Sequence, residues 1–247
     1  MTPPLHRARW RDRALEAVLF DLDGTLLDTA ADIARALNRT LAEQGYEPAT
    51  LSDVRRMIGR GAPILIQRAA ARQGRTLDAS AHALMTERFF HHYGALQDTN
   101  EFDAQPYPGA AEALERLHAS GLRTAVVTNK QERFARGLLE RLELIAWVDL
   151  VIGGDSCERR KPDPQPLLFA CSRLGVSPTR ALMVGDSIND VEAARAAGIP
   201  VLCVPYGYNE GQDPRQLSCD ALIDTLADLP RWLQVAAPPS ADEGVLR

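Results

Sequence analysis

Residues 17–25 read AVLFDLDGT: four apolar residues, two carboxylates two positions apart, then Gly24-Thr25. An apolar run that stops abruptly at charge is the pattern of a strand covered on both faces by helices and ending at a polar edge. Runs of the same kind recur at 124–129 (TAVVTN), 148–154 (VDLVIGG), 181–186 (ALMVGD) and 200–205 (PVLCVP). Helical spacing lies between them. Ala110, Ala113, Leu114 and Leu117 stand at i, i+3, i+4 and i+7, with Pro108 before and Gly121 after as start and stop signals. Leu167, Cys171 and Leu174 repeat the pattern before Gly175; Phe134, Leu138 and Leu142, then Val191 and Ala194, do so less cleanly. Strand alternating with helix predicts an α/β protein with a doubly wound parallel sheet and right-handed crossovers.

The gap between the first run and the second is too long for one crossover. Residues 30–104 hold no strand-like run, and their apolar periodicity predicts helices over 30–44, 51–58, 61–73 and 78–96. The expected organisation is a core of 16–29 and 105–232 with an all-helical cap of 30–104 inserted after the first strand. In open α/β sheets ligands sit at the carboxyl ends of the strands, where this insert emerges, so it is expected to lie over the site. Residues 1–15 and 233–247 are expected to be flexible termini, the second ending in the small, polar run AAPPSADEGVLR.

The 247 residues are 45% hydrophobic and 25% charged, which excludes wholesale disorder, collagen and coiled coil. A net charge of −5 argues against nucleic acid and anionic membranes as partners, whose binding rests on Lys and Arg against phosphate. A small phosphorylated metabolite, needing only a few local cations, stays open. Apolar runs fall short of the roughly 18 residues of a membrane span. Met1–Arg13 carries Arg7, Arg9, Arg11 and Arg13 with no apolar stretch behind them, so no secretory signal is expected. Cys157, Cys171, Cys203 and Cys219 show no CxxC spacing and read as reduced thiols of a cytoplasmic protein, with Cys171 and Cys203 in the core.

The chemistry is concentrated at the strand ends. Asp21 and Asp23 close the first run, Thr128-Asn129 the second, Lys161 follows the third, and Asp186 and Asp190 follow the fourth. A parallel sheet brings these groups to one edge. Several carboxylates in one pocket repel one another unless a cation compensates, and an all-oxygen donor set favours Mg2+. Asp21 with a phosphate dianion gathers a charge of about −3, which one Mg2+ and Lys161 would balance.

DLDGT at 21–25, TN at 128–129, Lys161 before Pro162 and GDSIND at 185–190 resemble the four motifs of the haloacid dehalogenase phosphohydrolases, over about residues 16–232. The resemblance implies a Rossmann-like core with strand order 5-4-1-2-3 and a helical cap. It implies Asp21 as nucleophile and Asp23 as general acid and base. It also implies Mg2+ held by the Asp21 carboxylate, the Asp23 backbone carbonyl and Asp186, with Asp190 close beside. Thr128, the Asn129 backbone N–H and Lys161 would hold the phosphoryl oxygens. Within that superfamily, MIGRGAPILIQR at 57–68, PYPGAAEAL and LRTAVVTNK are similar to phosphoglycolate phosphatases. Arg60 departs from that family's small polar residue between the two glycines. Facing the site it would clamp a carboxylate through a bidentate pair, as 2-phosphoglycolate would need; facing solvent it would only cap a helix end. A sugar-phosphate phosphatase (N-acetylmuramate 6-phosphate, for example), a pyrophosphatase and a β-phosphoglucomutase-like enzyme share the cap type. A catalytically silent binding protein would be expected to lack one of the motif residues, and all are present. His91-His92 is expected at the surface, and Tyr206-Gly207-Tyr208 at the mouth of the site with no assigned role.

Overall fold

The computed structural model describes residues 8–99 and 101–235. A hairpin, β1 (Arg9–Trp10) and β2 (Arg13–Ala14), leads into β3 (Ala17–Phe20) and the short β4 (Leu27–Asp28). Four helices follow: α1 (Ala30–Glu43), α2 (Leu51–Arg55), α3 (Ala62–Ala71) and α4 (Ala79–Asp98). The chain returns through β5 (Gln105–Pro106), then alternates as α5 (Ala110–Ala119), β6 (Arg123–Val127), α6 (Glu132–Arg141), β7 (Leu150–Ile152), α7 (Gln165–Leu174), β8 (Ala181–Gly185), α8 (Ile188–Ala196) and β9 (Val201–Cys203). It finishes with β10 (Ala221–Leu222) and α9 (Leu229–Trp232).

The main sheet is parallel, in the order β10-β9-β8-β3-β6-β7. Its first five strands stand as the sequence predicts; β10, two half-buried residues long, adds a sixth at the edge beside β9. Side chains alternate across β3. Val18 and Phe20 pack with Leu114, Leu117 and Leu138 of α5 and α6, while Ala17 and Leu19 pack with Leu167, Cys171 and Val191 of α7 and α8. All four are fully buried, so truncating Leu19 to Ala would cost about 2–5 kcal/mol. Phe20 lies between Val126 and Val184, which puts Asp21, Thr128 and Asp186 just past the same edge.

The helical insert leaves and re-enters through an antiparallel ribbon in which Leu27 faces Pro106 and Asp28 faces Gln105. Thr50 and Asp78 cap α2 and α4 by accepting the backbone N–H of Asp53 (3.1 Å) and Ala81 (2.8 Å). Leu37, Leu41, Ile66, Met85, Phe89 and Leu96 form a separate apolar cluster, which also takes in Phe134 and Tyr208 from outside the insert. Asp32, buried on α1, accepts the N–H groups of Asp103 (2.8 Å) and Ala104 (2.9 Å) and so fastens the returning segment.

The amino-terminal segment needs correcting. Residues 8–15, expected to be loose, are tied down. Trp10 is buried with its ring 5.6 Å from that of Trp232, Leu15 is buried, and the Arg9 N–H donates to the Leu233 carbonyl at 2.9 Å. Two apolar residues scattered among arginines suffice once α9 supplies a partner surface. At the other end Leu233 is buried in the core as well, against the flexibility expected from residue 233 on, while residues 1–7 and 236–247 lie outside the described residues. Cys171 and Cys203 are buried thiols as expected, and His92 faces Glu43 at 2.8 Å. No helix among the described residues is long and apolar enough to cross a membrane.

Candidate active site

The sheet edge gathers the strand-end residues. Lys161 reaches in from the loop after β7, its Nζ 3.0 Å from Asp21 Oδ1 and 2.7 Å from Asp190 Oδ1. Carboxylate oxygens of Asp21, Asp186 and Asp190 all lie within 4.8 Å of one another. All four residues are buried. Burial pushes the Asp21 carboxyl up to about 7 against the pull of Lys161, with Asp190 and Asp23 adding to the rise. Burial, then Asp190 and Asp21, push Asp186 well above the carboxylate range. Burial works against the Lys161 ammonium as well, yet Asp190 and Asp21 outweigh it and carry it to about 12. One lysine cannot balance three buried acids, and a cation with oxygen ligands restores the balance.

The surroundings of Asp186 suit that role. Its Oδ1 accepts from Thr25 Oγ1 at 3.1 Å and its Oδ2 from the Tyr208 N–H at 2.7 Å, which fixes the carboxylate plane. Backbone closes in on it: a Cβ on Gly24 would fall 2.4 Å, and one on Gly207 2.3 Å, from Asp186 Oδ2. Gly24 also has φ +92°, so glycine is required there twice over. Asp190 is differently employed. Its Oδ2 accepts from Ser187 Oγ at 2.8 Å and the Ser187 N–H at 3.1 Å, closing the capping box that starts α8, while Oδ1 holds Lys161.

Asp23 is turned the other way. Its Oδ1 accepts from Thr29 Oγ1 at 2.6 Å, and Lys130 Nζ lies 2.9 and 3.1 Å from its two oxygens. Its carboxylate is thereby kept out of the Asp21–Asp186–Asp190 cluster, which leaves its backbone carbonyl as what it could offer a cation. Lys130 is a residue the sequence reading passes over, although it directly follows Thr128-Asn129. It is buried between Asp23 and the ring of Tyr93 on α4, 4.6 Å from the ring centroid. Burial opposes its charge, but Asp23 and then Tyr93 hold it well above the usual lysine range. Asn129 joins two further segments, its Nδ2 donating to the carbonyls of Gly59 (2.8 Å) and Lys161 (2.9 Å). Thr128 accepts the Lys130 N–H at 3.2 Å.

Arg60 does not face this cluster. Its Nε donates to Glu210 Oε1 at 3.2 Å, and Arg68 holds the other oxygen at 2.7 Å, with Asn189 Nδ2 also on Glu210 at 3.2 Å. Burial raises the Glu210 carboxyl, but Arg68 and Asn189 outweigh it and keep it below its ordinary range. An acid tucked between insert and core draws the nearest guanidinium groups, and Arg60 is one of them. The part played by Tyr206-Gly207-Tyr208 now emerges as well: Gly207 and the Tyr208 N–H pack on Asp186, while the Tyr208 hydroxyl donates to Asp28 at 2.8 Å and its ring enters the apolar cluster of the insert.

Between insert and sheet edge lies a cavity of about 60 Å3. Asp21, Asp23, Thr128, Asn129, Lys130 and Arg160 form its polar wall, and Ile58, Leu65, Phe89 and Phe134 face them. A small anionic molecule with an apolar waist suits such a space.

The family model for haloacid dehalogenase-like hydrolases matches residues 18–204. A phosphoglycolate phosphatase of Nitrosospira multiformis is 44% identical over 221 residues, covering 89% of this chain and 96% of that protein. The crystal structure of a predicted phosphoglycolate phosphatase from Haemophilus somnus superposes with a TM-score of 0.81 at 32% identity, covering 88% of this chain and 97% of the other. CbbY from Rhodobacter sphaeroides, solved in complex with phosphate, superposes with a TM-score of 0.76 at 27% identity over 89% of this chain and 99% of that one.

Proposed function

The chain belongs to the haloacid dehalogenase-like hydrolase family, and from that premise we propose that it is a Mg2+-dependent phosphomonoesterase which splits 2-phosphoglycolate into glycolate and phosphate. The observation that carries this reading is the buried Asp21–Lys161–Asp186–Asp190 cluster, whose Asp21 lines a cavity between insert and sheet edge.

Asp21 is the nucleophile. One of its carboxylate oxygens attacks phosphorus in line while the bond to the ester oxygen breaks, giving an aspartyl-phosphate. Asp23, protonated as it turns from Lys130 toward the leaving group, donates that proton to the departing glycolate oxygen; it then takes a proton from the water that attacks the aspartyl-phosphate, releasing phosphate and regenerating Asp21. Thr128, the Asn129 N–H and Lys161 hold the equatorial oxygens as charge redistributes, so that positioning and electrostatics supply most of the rate. The Asp21 carboxylate, the Asp23 backbone carbonyl and Asp186 would hold the Mg2+, with Asp190 steadying Lys161 beside it. When bound, the ion supplies the positive charge that lets an anionic nucleophile and a phosphate dianion share one pocket.

What supports the choice of ester is the phosphoglycolate phosphatases among the relatives, together with a cavity wall that carries cations besides Lys161. The cytoplasmic setting expected from the sequence belongs to the same proposal. The test is phosphate release from 2-phosphoglycolate, pyrophosphate, hexose phosphates and N-acetylmuramate 6-phosphate, with Mg2+ and with excess EDTA. The highest kcat/KM is expected for 2-phosphoglycolate, and EDTA should silence all turnover until Mg2+ is restored. A panel led by a sugar phosphate would overturn the substrate, and activity indifferent to chelation would remove the metal.

A further inference from the structure

We propose that Arg160 reads the carboxylate of the substrate and sets the enzyme's preference for phosphate esters that carry one, an inference that rests on the phosphoglycolate reading above. An ester of that kind has two anionic ends, so the cavity must offer a cation away from the phosphoryl group. The cations around the site are nearly all committed. Lys161 is paired with Asp21 and Asp190, Lys130 with Asp23, Arg60 and Arg68 with Glu210, and Arg55 with Asp28. A substrate carboxylate that took Lys130 would strip Asp23 of its partner. Arg160 has no carboxylate partner among the described residues, although it is half-buried in the cavity wall.

The geometry of Arg160 is that of a prepared anion site. Its Nε donates to the Gly154 carbonyl at 2.6 Å, which orients the guanidinium and leaves its terminal nitrogens for a ligand. A planar fork held in this way matches a carboxylate through two parallel hydrogen bonds. A Cβ on Gly61 would lie 3.3 Å from Arg160 Nη1 and 3.0 Å from the Asn129 carbonyl, so the guanidinium sits where the turn of the insert meets the loop of the phosphoryl donors. Gly61 has φ +82°, and that turn brings backbone, with no side chain in the way, against the arginine. Lys161 and Arg160 are chain neighbours. One reaches Asp21 at the reacting end, and the other lines the wall where the far end of a short ester would lie. The sequence offers Arg60 for the same task, and its capture by Glu210 leaves the position to Arg160.

The experiment compares 2-phosphoglycolate with ethyl phosphate, which keeps the ester and lacks the carboxylate, in the wild type, Arg160→Gln and Arg160→Lys. The quantity read is the ratio of kcat/KM for the two substrates. Arg160→Gln should lower that ratio at least tenfold, chiefly through a higher KM for 2-phosphoglycolate, and Arg160→Lys should recover part of it. Affinity is measured separately by calorimetry in an Asp21→Asn background: adding Arg160→Gln should weaken 2-phosphoglycolate at least tenfold and inorganic phosphate by much less. If the wild type prefers 2-phosphoglycolate and the ratio survives Arg160→Gln unchanged, Arg160 is not the reader and the substrate stands. A wild type with no preference between the two esters overturns both readings.

Discussion

The sheet-edge wall of the cavity and the seam between insert and core are built differently. The sheet edge is made of groups one or two residues past a strand or in the first turn of a helix: Asp21 after β3, Thr128 after β6, Asp186 and Asp190 after β8. Their partners are close in space because the sheet register puts them there, and the acids are almost entirely buried. The seam between insert and core is held by long side chains. Arg60 and Glu210 are 150 residues apart in sequence and Arg68 and Glu210 142, while Lys130 meets Tyr93 across the gap. Contacts of this second kind are ones that a shift of the insert about the β4–β5 ribbon would break. Rigid elements carry the chemistry, and the seam that can give way carries enclosure.

The contrast makes claims that graded substitutions can break. Asp21→Asn removes the nucleophile at the rigid wall and should lower kcat by about 10^4-fold or more, with the fold intact by circular dichroism. Asp23→Asn should lower kcat by about 10^2- to 10^4-fold while leaving the phosphorylated enzyme observable by mass spectrometry. Full turnover in that variant would end the acid and base role. At the seam the effects should be smaller. Lys130→Met frees the Asp23 carboxylate and should cost about tenfold or somewhat more in kcat, with KM for ethyl phosphate little changed, because the loss is one of positioning. A loss as deep as that of Asp21→Asn would move Lys130 to the rigid wall.

The smallest effect is expected at Glu210. Glu210→Gln breaks the pairs with Arg60 and Arg68 and should cost about 1 kcal/mol at neutral pH, since the arginines are partly solvated. In the fold this carboxyl titrates below its ordinary 4.5. Its contribution is therefore full above that value and is lost as pH falls through the lower folded one. Melting temperatures of wild type and Glu210→Gln should differ at pH 7 and converge as the pH falls through the lowered value of this carboxyl. Curves that stay parallel would show that the latch is not ionic.

Most of the sheet was legible because its signal is local. Runs such as AVLF and ALMVG are apolar on both faces and end in charge, and helical stripes separate them. The helices of the insert followed from the same periodicity, with α2 ending at Arg55 rather than 58 because Met57 and Ile58 turn toward Gly59. β10 escaped notice because two half-buried residues carry no period. The strand-end acids were legible because a core has no use for them. Lys130, Arg160 and Glu210 were not, since a lysine after TN, an arginine before Lys161 and a glutamate after the last core strand all pass for surface charges.

What the chain dictates by itself is the alternation of strands and helices, the helical insert, and the carboxylates and lysine at one sheet edge, all of which follow from residue spacing of 2 or 3.6 and from where apolar runs stop. Which cation meets which acid was decided only by the tertiary structure. Arg60 and Arg160 are equal as letters. Glu210, brought in from the far end of the chain, takes one, and the other stays in the cavity wall with no acid paired to it among the described residues, because pairing between long charged side chains depends on every charge the fold brings within reach.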